Sequence, residues 1–247
     1  MENLIDYSSL PVPVRDNIVS AQRLAWKRLA APGTWWDGAM RVAIAAEARK
    51  AWRCDFCAIR REALSSHAVQ GEHDSEGVLS GALIEVVHRV VTDQSRLTQA
   101  FYSTALGSGV TDGEYVETIG VIATVIAIDG FARAIGLPEF ALPDPKPGEP
   151  SRHRPSGAKT GHAWVPRVAP EDVTEAEAGL YDGLAGANIH RALSLVPAET
   201  IGFFDIDAAQ YLPDAQLRDY GTEYRDLSHV QIELLAARVS ALNQCVY

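Results

Sequence analysis

Cysteine is scarce in this chain: the three residues among 247, at positions 54, 57 and 245, cannot build the disulfide framework that staples small secreted domains. Positive charge is also short. Lys and Arg total 22 against 32 Asp and Glu, giving a net charge of -10 and a pI near 5.1. With no stripe of cations to neutralise a row of phosphates, neither nucleic acid nor an anionic membrane is expected as a partner. Residues 1 to 30 lack the basic start, apolar core and small-residue cleavage site of a secretory leader, and no apolar run is read as reaching the ~20 residues that cross a bilayer. The expected location is cytoplasmic. Paired strand signals are missing as well. What remains is a chain of 47% hydrophobic content whose patterns are helical, and the expected class is all-α.

Apolar Ile18, Leu24, Ala25 and Leu29 recur at helical spacing within residues 14 to 31, and Pro32-Gly33 ends that pattern. Thr34 is expected to cap a second helix that carries Met40, Ile44 and Ala48 toward the cysteines. Further helices are expected near Val78 to Val91 and Ser95 to Leu106. Thr111 and Glu114 form a capping box opening a helix closed by Gly136 and Pro138, so apolar in its middle that it must be buried or lie in an interface. Residues 137 to 171 hold eight prolines and little periodicity, a linker or a long wrapping arm. Beyond it, helices are expected at Glu175 to Leu184, Ala198 to Tyr211 and Asp214 to Tyr224, and a last one is capped by Ser228 and Gln231, with Leu227 stapling onto Ile232.

The chemistry centres on W-R-C-D-F-C-A-I-R-R, Trp52 to Arg61. On one continuous helix Cys54 and Cys57 share a face with Cα atoms roughly 5 Å apart, inside the range a disulfide tolerates. Lys50, Arg53, Arg60 and Arg61 would then flank the sulfurs, favour thiolate and bring at least one pKa below about 8.5. Glu47 lies on the same face seven residues earlier, but a rise of about 10 Å forbids direct contact. A water, a bend or a histidine from another segment must bridge it to the sulfurs. His67, His73 and His88 are each read first as structural. His88, in V-V-H-R-V-V, is the one placed to point into the core that holds the cysteines. No second C-x-x-C or H-x-x-x-H stands ready to complete a zinc site, so no metal is expected.

The stretch S-H-V-Q-I-E-L-L-A-A-R-V-S-A-L-N-Q-C-V-Y, Ser228 to Tyr247, resembles the start of the active-site segment of alkylhydroperoxidase D-like proteins in the carboxymuconolactone decarboxylase superfamily. In that family a glutamate lies twelve residues before the first cysteine of a C-x-x-C, and a histidine follows four residues after the second. Glu233 and Cys245 match the first two positions. The sequence stops at Tyr247, where the second cysteine would come. A break near Asn243-Gln244 would be needed to bring Glu233 and Cys245 together. The same resemblance extends more weakly to residues 14 to 138, with Val42 at the glutamate position and Arg61 at the histidine position.

The resemblance implies tandem all-α domains: a first over 1-136, a linker over 137-171, and a second, incomplete one over 172-247. It implies reduction of hydrogen peroxide or alkyl hydroperoxides by a dithiol without an organic cofactor, regeneration by a dihydrolipoyl or thioredoxin-like protein, and assembly into homo-trimers or hexamers. Cys54, Cys57 and Glu47, with Cys245 and Glu233, are the implied catalytic residues. A redox-inactive scaffold, a redox sensor and a decarboxylase acting on a lactone acid stay open as alternatives. The stop inside the second motif is read as a selenocysteine codon taken for termination, or as a truncation or frameshift.

Overall fold

The structure, a computed structural model, describes residues 4–245. The expected continuation of the second redox motif through Val246 and Tyr247 lies outside the described residues. All regular structure there is helical, with a single antiparallel bridge between Lys159 and Arg167 and no sheet among the described residues. The protein is all-α.

The first bundle consists of α1 (Asp16–Ala30), α2 (Gly38–Ala51), α3 (Asp55–Glu62), α4 (Gly81–Thr92), α5 (Gln99–Gly107) and α6 (Asp112–Ala134). Helix α2 is central, packing on α1, α4 and α6, and Ile44, Ala45, Ala48 and Ala51 on its inner face are fully buried or nearly so. Its small residues let neighbouring helices approach closely. Asp37, rather than the expected Thr34, caps it, accepting the Met40 N–H at 2.8 Å, and Thr34 is buried in the preceding turn. Helix α6 has the expected capping box, and it ends where Gly136 turns left-handed at φ 81° so that the Leu137 N–H can bond back to the Ala132 carbonyl.

One expectation is corrected here. Helix α6, at 23 residues and mean hydropathy 1.6, is long and apolar enough to cross a membrane by length and composition, although 61% of that apolar stretch is buried in the fold. Its caps give its extent in the sequence, but the polar and glycine residues within it leave no unbroken apolar run of that length. Its apolar character is explained by packing against α2, α4 and α8.

The proline-dense segment is a wrapping arm. Its backbone is bonded to the first bundle, Lys146 N–H to the Ala30 carbonyl, Ser151 N–H to Gly33 and Arg152 N–H to Thr34, while the Trp26 indole donates to the Ala141 carbonyl. After the arm come α7 (Asn188–Arg191), α8 (Pro197–Gln210), α9 (Asp214–Leu217) and α10 (His229–Leu242). The helix expected at Glu175 to Leu184 is only a 3-10 turn at Glu175–Glu177. The one expected at Asp214 to Tyr224 is the single turn of α9. Gly179, at φ 87° two residues past Glu177, turns the chain out of the first of these.

Helix α8 does not found a separate core. It lies on α1 and α6, and its Ile206 joins the apolar cluster of the first bundle. A buried ion triad pins it there: Arg41 on α2 bonds Glu117 on α6 and, at 2.6 Å, Glu199 on α8. Helix α10 is capped as expected by Ser228 and Gln231, but Val230, Leu234, Leu235, Val239 and Leu242 on it are exposed.

Candidate active site

Helix α2 does not run through the cysteines. It stops at Ala51, the chain turns over Trp52 and Arg53, and Cys54 stands in extended conformation (ψ 118°) as the N-cap of α3. Asp55 in the first turn and Arg60 and Arg61 in the last oppose the α3 dipole with the favourable signs, which makes a fresh start at Asp55 stable. The expected single helix is therefore corrected to a break, and both sulfurs sit at the positive end of α3. Each cysteine is only 2% exposed, and both are free thiols.

The flanking cations are spoken for elsewhere, which corrects their expected role. Lys50 pairs with Asp74 at 3.0 Å, Arg53 with Glu139 at 2.9 Å, Arg61 reaches only Glu62, and Arg60 makes a two-pronged contact with Glu85 at 2.9 Å. Two histidines face the sulfurs instead. His88 on α4 places Nδ1 3.2 Å from Cys57 Sγ, and its Nε2 lies 2.7 Å from Glu47 Oε1 in a fully buried contact. His73, on the loop between α3 and α4, places Nδ1 3.4 Å from Cys57 Sγ and 3.8 Å from Cys54 Sγ, and its Nε2 lies 2.7 Å from Glu85 Oε2. The two rings stack obliquely at 4.1 Å.

Glu47 completes its own shell through Oε2, which accepts from Ser75 Oγ and the Glu76 N–H, each at 3.1 Å. The same loop sends the Asp74 N–H to Cys54 Sγ at 3.4 Å. It is held down on Phe56, whose ring carries Arg60 on its face at 4.6 Å and meets the His73 ring edge-on at 5.1 Å. A cavity of about 400 Å³ opens beside it, lined by Phe56, Arg60, Gln70, His73 and Glu85. Neither sulfur lines that cavity.

Electrostatics follow from these contacts. Burial raises the Cys54 thiol, but the Cys57 backbone N–H, His73 and the Asp74 N–H outweigh it, and the net shift is downward. Burial lowers His73, yet the two sulfurs and Glu85 overcome it and push the imidazole up to about 10. Glu85, despite burial, is brought down to about 2 by His73 and Arg60. His88 moves the other way: burial lowers it, and the opposing Glu47 does not restore it. A neutral His88 donates its Nε2–H to Glu47 and turns an Nδ1 lone pair toward Cys57.

Of the residues singled out from sequence, Cys54, Cys57 and Glu47 come together, with His88 as the bridge that the Glu47 separation calls for. Glu233 and Cys245 do not join them. Glu233 accepts from Tyr211 Oη at 2.5 Å, and Cys245 is exposed past the end of α10, where Gln244 adopts φ 52°. The turn near Asn243-Gln244 is present, but no hydrogen bond joins Cys245 to Glu233 among the described residues. His73, read from sequence as structural, stands at the sulfurs instead, while Glu85 and the pairing of Arg60 escaped the sequence reading, since only the closure of the α3–α4 loop brings them there. No protein-family model, curated protein or solved structure matches this chain.

Proposed function

We propose that the protein is a dithiol peroxidase that reduces hydrogen peroxide or small alkyl hydroperoxides, with oxidised protein returned to the dithiol by a dihydrolipoyl or thioredoxin-like reductant. The observation that carries this reading is the chain Glu47–His88–Cys57, with links of 2.7 and 3.2 Å, ending beside a second thiol at the N-terminus of α3. Cys54, at the N-cap and bonded by the Asp74 N–H, is the attacking sulfur. Its thiolate takes the distal peroxide oxygen, the O–O bond breaks, and His73 Nδ1–H is placed to protonate the departing alkoxide or hydroxide. Cys54 is then a sulfenic acid. His88 Nδ1 removes the Cys57 proton, Glu47 stabilises the resulting imidazolium, and Cys57 attacks the Cys54 sulfur to form the disulfide and expel water. In sum, one peroxide and two thiols give one alcohol or water, one water and one disulfide.

Because both cysteines are 2% exposed and the neighbouring cavity stops at His73, peroxide reaches Cys54 only if the loop over it yields. Small peroxides should therefore react faster than bulky ones. The decisive measurement follows peroxide consumption by reduced, chelator-treated protein with a dithiol reductant, beside a count of free thiols. Two thiols per chain should be lost on oxidation in a form the reductant restores, turnover should vanish in Cys54→Ser and Cys57→Ser, and His88→Asn should slow it by about 10²–10⁴-fold. Thiols that stay titratable in excess peroxide, or turnover that survives Cys57→Ser, would overturn the assignment.

A further inference from the structure

The two sulfurs have a second use in the same geometry. Cys54 Sγ, Cys57 Sγ, His73 Nδ1 and His88 Nδ1 all lie within 4.8 Å of one another, and all four residues but His73 are buried outright. A tetrahedral zinc centre with Zn–S near 2.3 Å and Zn–N near 2.05 Å requires sulfur and nitrogen to stand roughly 3.5 Å apart. The sulfur-to-nitrogen separations of 3.2, 3.4 and 3.8 Å bracket that value.

The orientation of the imidazoles adds an independent reason. Each histidine turns Nδ1 inward, and each anchors Nε2 on a carboxylate at 2.7 Å, Glu47 for His88 and Glu85 for His73. That outer pair holds Nε2 as the donor to its carboxylate and leaves Nδ1 as the nitrogen a metal would take once any proton on it is displaced, the arrangement that metal-bound histidines use. Both Nδ1 atoms lie within 3.4 Å of the Cys57 sulfur, so the two rings and the two thiols converge on one point. A divalent cation that displaces the thiol protons and the His73 Nδ1 proton would meet two thiolates and two Nδ1 lone pairs.

We infer that Cys54, Cys57, His73 and His88 form a tetrahedral site for a borderline-soft divalent metal, zinc above all, with Glu47 and Glu85 as its outer carboxylates. The metal-bound dithiol and the disulfide exclude each other. Loss of two electrons from the thiolates to a peroxide, with two protons taken from solvent, yields disulfide, alcohol, water and the freed metal ion. Metal occupancy thus guards the sulfurs until oxidation discharges it. This inference shares its sulfurs with the peroxidase reading but does not depend on it.

Cobalt is the probe. Reduced full-length protein titrated with Co²⁺ should take up one equivalent, developing the intense visible bands of tetrahedral cobalt and a near-ultraviolet thiolate-to-cobalt charge-transfer band, both abolished by one equivalent of Zn²⁺. His73→Ala and Cys54→Ser should lose that spectrum while keeping wild-type far-ultraviolet circular dichroism. Glu85→Gln should keep the spectrum but weaken affinity about 10–100-fold. Substoichiometric uptake, a pale octahedral spectrum with no charge-transfer band, or a spectrum unchanged in a folded His73→Ala variant would overturn the site. Peroxide turnover is measured on metal-free protein, so failure of one idea leaves the other standing.

Discussion

Glu47 has no solvent exposure, and its two oxygens are shared among His88, Ser75 Oγ and the Glu76 N–H. Replacing it by Gln keeps the shape but removes the charge that supports an imidazolium at His88. Alkylation of Cys57 in a Cys54→Ser background should slow at least tenfold in Glu47→Gln, with the far-ultraviolet circular dichroism of the fold retained. Equal rates would show that the carboxylate does not act through His88. Glu47→Ala instead strands three donors, of which His88 is fully buried, and urea unfolding should report a loss of about 1–3 kcal/mol. The sequence made three of these side chains legible because C-x-x-C and a glutamate on the same face are local features. The place of His73, read as structural, and of Glu85 at the sulfurs was not legible, since they sit 16 and 28 residues beyond Cys57 and reach the site only through a loop closure that no spacing rule encodes.

Among the elements, capping signals carried the most information: Thr111–Glu114 and Ser228–Gln231 open α6 and α10 as expected. The break between α2 and α3 escaped because no Gly or Pro marks it; a cysteine serves as N-cap, and the informative sign was the acid-first, base-last charge order of Asp55 and Arg60-Arg61. Gly38, at the start of α2, lets the Ala30 and Lys146 carbonyls approach so closely that a Cβ would strike both. Gly38→Ala should therefore cost about 1–3 kcal/mol in denaturant unfolding, against the gain that Ala ordinarily brings to a helix. Helix α8 supplies a pH test. Burial, with Asp214 nearby, raises Asp207 from 3.8 to about 6. A raised acid stabilises the fold only while protonated, so its contribution is full below 3.8 and is lost as pH climbs through about 6. Asp207→Asn should raise the Tm at pH 7, by a stability increment on the order of 1–3 kcal/mol, and should flatten the stability profile between pH 4 and 6. An unchanged profile would show that Asp207 titrates normally.

At the scale of the whole molecule, the arm and α8 make one body of segments that the sequence suggested were separate. Arg41, Glu117 and Glu199 come from α2, α6 and α8 and are all buried. Removing Glu199 takes from Arg41 one of its two carboxylates while Glu117 stays paired with it, and Glu199→Ala should lower stability by about 1–3 kcal/mol while unfolding stays a single transition followed equally by Trp fluorescence and circular dichroism. A separate early transition for the second half would contradict the shared core. This union was illegible in the sequence because the proline arm has no periodicity to show where it lies. It also spans a long stretch of chain: Arg28 meets Asp205 across 177 residues and Arg15 reaches the Ala209 carbonyl across 194. A ribosome adding roughly 5–20 residues per second needs ~10–40 s to deliver α8 after α1 has been made. From the completion of α6 until α8 arrives, the groove between α1 and α6 is open on the nascent chain. Holdase chaperones should therefore hold translation intermediates stalled before residue 197, and let go of those in which α8 has emerged to close the groove.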